Sequence, residues 1–362
     1  GVCPRATPFV GWCWARSHKL DPVELASPRF CRTMAAAVTP PREGTTAGFD
    51  LVDVDPDAIR PVNKVQASEE HRRALDACLV ASTSGAEIPK VSKRTFPPPL
   101  DAFILDDMVS ASECEALIKC AEGAGYSFWN AAASTNKFRN SDTVEIHSAA
   151  VADELWRRCA HLVVPTVVID EGHPMWEPGL GGTWEACGVN DHLLFNRYES
   201  GGHFSPHTDG ASIVDMNRRS LYSMLVYLNR CPVGGGTAMF VPPEGTGMGK
   251  FIVDESLGVY RWPDEWKAAV APVEPGTALV FRQDTSHEGT PVGEGHLKII
   301  IRTDVMYERA DPLFTDDVGK QAFDLHRRAQ RAEGESDHMT AMRLYRHCRR
   351  LCPEYADFVG MA

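Results

Sequence analysis

The chain predicts a mainly β fold, a sandwich or barrel with flanking helices, and the order of its apolar segments carries that prediction. LYSMLVYLN, GGGTAMFV, PGTALVFRQDTSHEGTPV and LKIIIRTDVMY are short runs rich in apolar and β-branched residues. Gly and Pro break them up, as they do where strands end and turns begin. On either side of these runs the apolar spacing changes to that of helices.

With 362 residues, the chain can hold one large domain with appendages or two ordinary ones, and can bury a substantial core. Apolar residues at 43% and charged residues at 24% are ordinary for a soluble globular protein. A formal charge of -12 argues against nucleic acid as a partner, because non-specific binding rests on Lys and Arg neutralising phosphates. The 11 cysteines form no repeated CxxC pair, so they read as reduced thiols of an intracellular protein, cytoplasmic or nuclear. No apolar run is long enough to span a bilayer, so no membrane partner is expected.

Organelle targeting stays open at the N-terminus. Arg5, Arg16, Lys19, Arg29 and Arg32 outnumber Asp21 and Glu24 around FVGWCWA, a faint transit-peptide pattern. Met34 before AAAVTPP is an equally good start, which would put residues 1–33 outside the native protein.

In chain order, residues 1–98 read as a leader and flexible arm rich in Pro, Ala, Thr and charge, with a short helix around Glu69 to Val80. LDAFILDDMVSASECEALIKCAEGAGY then predicts a strand followed by a helix capped by Ser110 or Ser112. Leu117, Ile118 and Ala121 form its buried face, and Gly123 or Gly125 stops it. A second helix around Ala149 to Leu162 carries Val151, Leu155, Trp156 and Cys159, with the Trp in the core. The polar segment Asn130 to Ile146 reads as a mobile loop, and Val163 to Gly188 as irregular, with barrel strands beginning at His192. His147, His161, His173 and His192 have no ligand partners at a sensible spacing and read as surface or hydrogen-bonded residues. Residues 310–362 predict two helices around Gly334, with Ala341, Leu344, Tyr345, Cys348 and Leu351 on one face. They resemble one tetratricopeptide hairpin, which cannot stack alone and must pack on the barrel or a second copy. Its excess of Arg suits either an acidic partner or solvent.

The chemistry lies in YESGGHFSPHTDG. His207 and Asp209, two residues apart on an extended segment, project from one face and can grip one ion. HEGTPV offers His287 as third ligand. Two His and one carboxylate on one side of an octahedron suit non-haem Fe(II) working with dioxygen. His203 is a rival ligand, but HxxxHxD is not the expected spacing, and it reads better as lining the substrate entrance.

In that order, the blocks from LLFNRYESGGHFSPHTDG to LKIIIRTDVMY resemble the catalytic domain of the 2-oxoglutarate and Fe(II)-dependent dioxygenases, in their prolyl 4-hydroxylase-like branch. The resemblance covers roughly Pro99 to Arg309 and implies a domain over 99–309 folded as a double-stranded β-helix, or jelly-roll, barrel. It also implies Fe(II), 2-oxoglutarate and O2, with ascorbate as a possible addition. The buried distal carboxylate of the keto acid needs a cation, and Lys298 and Arg302 share a strand face. Lys298 is preferred, though it falls one position late for the family, which keeps Arg302 open.

Tyr198 and Tyr227 match tyrosines that meet the co-substrate or the metal in related enzymes, with plain packing as the other reading. Thr237 sits beside the site after a tight Gly turn. Arg139 and Asn140 match loosely a segment that folds over substrate. Asp209 fills the position that halogenating relatives leave vacant, which favours hydroxylation. The implied reaction hydroxylates a peptidyl residue, proline foremost, releasing succinate and CO2. The insertion Pro242 to Glu274, with Trp262 and Trp266, is a candidate for selecting the peptide or protein substrate, or is simply pinned to the barrel. Two alternatives remain: the same oxidation of a small molecule, and a non-catalytic jelly-roll scaffold. Retention of all three ligands and a basic anchor counts against the scaffold. The oligomeric state is left open.

Overall fold

The computed structural model describes residues 67–80, 90–128, 137–244 and 250–361, with the strand Val52–Asp53 and residue 246. It is mainly β. The larger sheet runs, in spatial order, Ser92–Thr95, Ala102–Asp106, Ala278–Arg282, Arg218–Tyr227, Lys298–Arg309, His192–Tyr198, Asp142–His147 and Ser127–Phe128. The smaller sheet runs Lys267–Ala271, Thr237–Phe240, His287–Gly289, His203–His207 and Arg139–Asn140. The ladders that frame the site are antiparallel. Strands distant in sequence thus become neighbours, as in a jelly roll.

Period-two alternation divides the larger sheet into two faces. Leu225, Tyr227, Leu279, Phe281 and Ile300 enter a core shared with Met239 of the smaller sheet. Met224, Val226, Val280, Ile299 and Ile301 point the other way, into a core with the helix residues Leu75, Leu117 and Leu155. Each of those leucines contributes about 1.5–3 kcal/mol by burial. The same alternation puts Lys298 and Arg302 on the inner face with Ile300.

The helices lie where their caps predict. Ser110 caps Ala111–Ala124 through a reciprocal capping box with Glu113, and Gly125 ends it at a φ of 79°. Ser148 caps Ala149–Cys159, in which Trp156 is only partly buried against the core. The helix Glu69–Val80 is also present. Buried Arg158 joins the two capped helices through Glu113 at 2.7 Å, and is held within its own helix by Glu154 at 2.7 Å.

Three segments within 99–309 differ from expectation. Arg139–Asn140 and Asp142–His147 form strands rather than a loop, because Val144 and Ile146 alternate with polar residues and reach the outer core. Val163 to Gly188 contains Thr166–Ile169 and Gly182–Val189, the latter paired with the distal half of Lys298–Arg309. Its Gly and polar residues hide the strand pattern, and the neighbouring strand enforces it. Within the insertion, Lys250–Asp254 and Val259–Arg261 form a hairpin, while Lys267–Ala271 belongs to the smaller sheet. Trp262 is buried with Phe240 and Phe251, so it pins the insertion.

The tail forms helices Asp317–Gly334, His338–Leu351 and Pro353–Phe358, packed through Leu325, Leu344, Cys348 and Tyr355. It docks on the barrel, where the Arg309 guanidinium lies 4.3 Å from the Trp184 ring and 5.7 Å from that of Phe358. No helix among the described residues is long and apolar enough to cross a membrane. Residues 1–51, 54–66 and 81–89 of the expected leader and arm, and residues 129–136 of the expected loop, lie outside the described residues, whereas Ser92–Thr95, expected in the flexible arm, is a strand because it pairs with Ala102–Asp106.

Candidate metal centre and co-substrate pocket

His207 ends the strand His203–His207 and pairs across the ladder with His287, the first residue of His287–Gly289. Asp209 follows two residues later. Ligand atoms of the three all lie within 4.8 Å of one another. The Nε2 atoms of His207 and His287 stand 3.7 and 3.8 Å from the Asp209 carboxylate oxygens.

Backbone carbonyls set the tautomers. Nδ1–H of His207 donates to the Ser205 carbonyl at 2.8 Å, and that of His287 to the Thr285 carbonyl at 3.0 Å. Each neutral ring therefore turns a bare Nε2 lone pair toward the carboxylate. Burial pushes the His207 imidazole down to about 3, with His287 and Arg139 adding to the effect. Burial likewise holds His287 below its usual range. Burial opposes the charge on Asp209, but Arg302, the two imidazoles and a 2.6 Å hydrogen bond from Ser223 hold its carboxyl below the ordinary range. Three acceptors thus converge without a proton between them, an arrangement that a cation stabilises. Two imidazoles and a carboxylate fit Fe(II).

Lys298 enters the same barrel beside Tyr198, its cross-strand neighbour. Its side chain is almost fully buried. Nζ lies 5.2 Å from the Tyr198 ring centroid and 5.7 Å from that of Tyr227. No acceptor among the described residues hydrogen-bonds it, and burial pushes the amine down to about 8. Gly235, at a φ of +69°, allows the close approach beside it, since a Cβ there would come 2.9 Å from the Cys231 Sγ. The Tyr227 hydroxyl donates to Thr237 Oγ1 at 2.8 Å. A buried ammonium without an anion fits a ligand carboxylate.

Arg302, half-buried on the same face, is already committed. It lies 3.1 Å from Asp304 and 3.8 Å from Asp209, and donates to the Gly210 carbonyl at 3.1 Å. Arg139 is brought into the site. Its guanidinium lies 4.4 Å from the Phe204 ring and donates to Ser141 and Asn196 at 2.9 and 2.7 Å. Phe204 also stacks on His207, with centroids 3.6 Å apart. Asn140, half-buried, is the cross-strand partner of His203.

His203 does not face the cluster. Its ring nitrogens lie 3.0 Å from the Gly201 and Lys137 carbonyls, so it ties its strand to the preceding segment. His147 and His192 are also corrected: they come together with Glu145 in a second group of possible ligands. Ser223, Asn196 and Phe204 were not singled out from the sequence. Ser223 and Asn196 carried a usable signal, as polar residues at inward-facing positions of apolar strands.

Residues 193–303 match the family model described as the 2OG-Fe(II) oxygenase superfamily, so this part of the chain carries a domain of that superfamily. No curated protein matches the chain. Among solved structures, it is similar to the viral collagen prolyl hydroxylase of Paramecium Bursaria Chlorella virus-1, with 18% identity and a TM-score of 0.34 over 58% of this chain and 97% of that one. A Pseudomonas putida prolyl-4-hydroxylase matches at 15% identity and a TM-score of 0.33, over 66% of this chain and 100% of that one. A non-heme alpha ketoglutarate dependent carbocyclase from nogalamycin biosynthesis matches at 14% identity and 0.36, over 59% and 81%.

Proposed function

We propose that the chain is an Fe(II)- and 2-oxoglutarate-dependent dioxygenase that hydroxylates a C–H bond of a peptidyl residue, proline foremost, with release of succinate and CO2. One observation carries the reading: a proton-free cluster of three acceptors shares a barrel with a buried ammonium that lacks an anion. When bound, ferrous iron with the keto acid and dioxygen supplies the oxidising chemistry. The chain's own residues bind, orient and exclude water.

His207, His287 and Asp209 would hold the ion, with the rings kept from turning by the Ser205 and Thr285 carbonyls. Ser223 fixes the carboxylate. Lys298 receives the distal carboxylate of 2-oxoglutarate between Tyr198 and Tyr227. Because Thr237 accepts from Tyr227, its own hydroxyl proton can be given to that carboxylate. Arg139, fixed over Phe204 by Ser141 and Asn196, orients the substrate, with Asn140 beside it. Ascorbate supports the reaction as a reductant of iron. The peptide acceptor rests on the resemblance of the ordered sequence blocks to the prolyl 4-hydroxylase-like branch.

Succinate formation from 2-oxoglutarate, O2 and Fe(II) tests the chemistry. The wild-type chain should form succinate slowly without acceptor, and His207→Ala should not; equal rates would refute the ligand assignment. A peptide library read by mass spectrometry tests the acceptor. Gain of one oxygen on prolyl residues is expected, and oxidation confined to small molecules would contradict it.

A further inference from the structure

We propose that Glu145, His147 and His192 form a second divalent-cation site, suited to Zn2+, on the inner face of the larger sheet. The site is built by register. His147 and His192 stand directly opposite in the ladder between Asp142–His147 and His192–Tyr198, with ring centroids 3.7 Å apart. Glu145 lies two residues before His147 and so shares its face. Its carboxylate is 2.9 Å from the His192 Nδ1. Ligand atoms of all three lie within 4.8 Å of one another.

The face is distinct from the outer core. Val144, Ile146, Leu193 and Phe195 alternate with these residues and point into the outer core, leaving the three polar groups half-buried on the other side. An ion can therefore reach them. Two imidazoles and one carboxylate with a fourth position open are a donor set that Zn2+ accepts. The site is close to the first one without belonging to it. Glu145 and Arg302 both pair with Leu194, which separates their Cα atoms by about 10 Å. The Glu145 charge contributes to holding Arg302 protonated, so an ion bound here would be felt by the residue that faces Asp209.

Zn2+ alone, titrated calorimetrically into the full metal-stripped chain, tests the assignment. The wild type should take up two ions, one at each cluster. His207→Ala should retain the second, and adding His192→Ala to it should abolish that uptake. Glu145→Gln keeps the shape and the hydrogen bonding, and should weaken the second ion by roughly tenfold or more. Uptake confined to a His192-dependent ion in the wild type would support this site and count against the first. A His207→Ala chain that binds no Zn2+ would overturn the proposal, leaving a hydrogen-bonded pair only. Residual uptake unchanged by both His192→Ala and Glu145→Gln would overturn it equally.

Discussion

Lys298 and Arg302 leave the same face of one strand and end in opposite surroundings. Arg302 meets Asp304, Asp209 and the Gly210 carbonyl, and Asp304 also receives hydrogen bonds from Asn190, Ser212 and Gln283. Lys298 meets two aromatic rings and no carboxylate among the described residues. A cation neutralised within the fold serves the fold. A cation left buried without an anion is an unfavourable element of the fold, and the proposed keto acid would supply the missing anion.

The largest effect that could break this contrast is on stability. Arg302→Met would strand Asp304 and Asp209, and urea unfolding should show a loss of roughly 2–4 kcal/mol, somewhat below the figure for a fully buried pair because the guanidinium is partly exposed. Unchanged stability with lost keto-acid affinity would exchange the two roles.

Lys298→Met should have the opposite sign. The folded amine titrates at about 8, below its usual 10.5, so the unfolded chain holds the proton more tightly. The resulting penalty is full below pH 8 and relieved as pH rises toward the unfolded value. Removing the charge should therefore stabilise the ligand-free protein at pH 7 by about 1–3 kcal/mol, and 2-oxoglutarate should no longer raise the melting temperature. Destabilisation instead would make Lys298 structural.

A pH series sharpens the comparison further. As the ammonium is lost above about 8, the affinity of the wild type for 2-oxoglutarate should fall about tenfold per pH unit. Lys298→Arg, if it binds, should show a flat profile over the same range. The smallest effect is on the metal: Ser223→Ala removes the hydrogen bond to Asp209 and should weaken metal binding about tenfold, measured by equilibrium dialysis.

What was legible in the sequence was local. The His-x-Asp spacing, the β-branched runs and the Ser110 cap act over a few residues, and so does the alternation that put Lys298 and Arg302 on one face. It could not separate those two, because the difference lies in partners such as Asp209, far away in the chain. Glu145, His147 and His192 were missed for a related reason, since only the register between two strands brings them together. The strand Gly182–Val189 was hidden because pairing with Lys298–Arg309 holds it more than its own apolar pattern does. Arg139 was visible as a loose match, while its fixation by Ser141 and Asn196 was not.

The most direct test is a titration of 2-oxoglutarate into Mn(II)-loaded wild type, Lys298→Met and His287→Ala, with bound metal measured in parallel. Wild type should bind both. Lys298→Met should keep the metal and lose the keto acid, and His287→Ala should lose the keto acid together with the ion of the first cluster. Undiminished 2-oxoglutarate binding in Lys298→Met, or full metal loading in His287→Ala, would contradict the account.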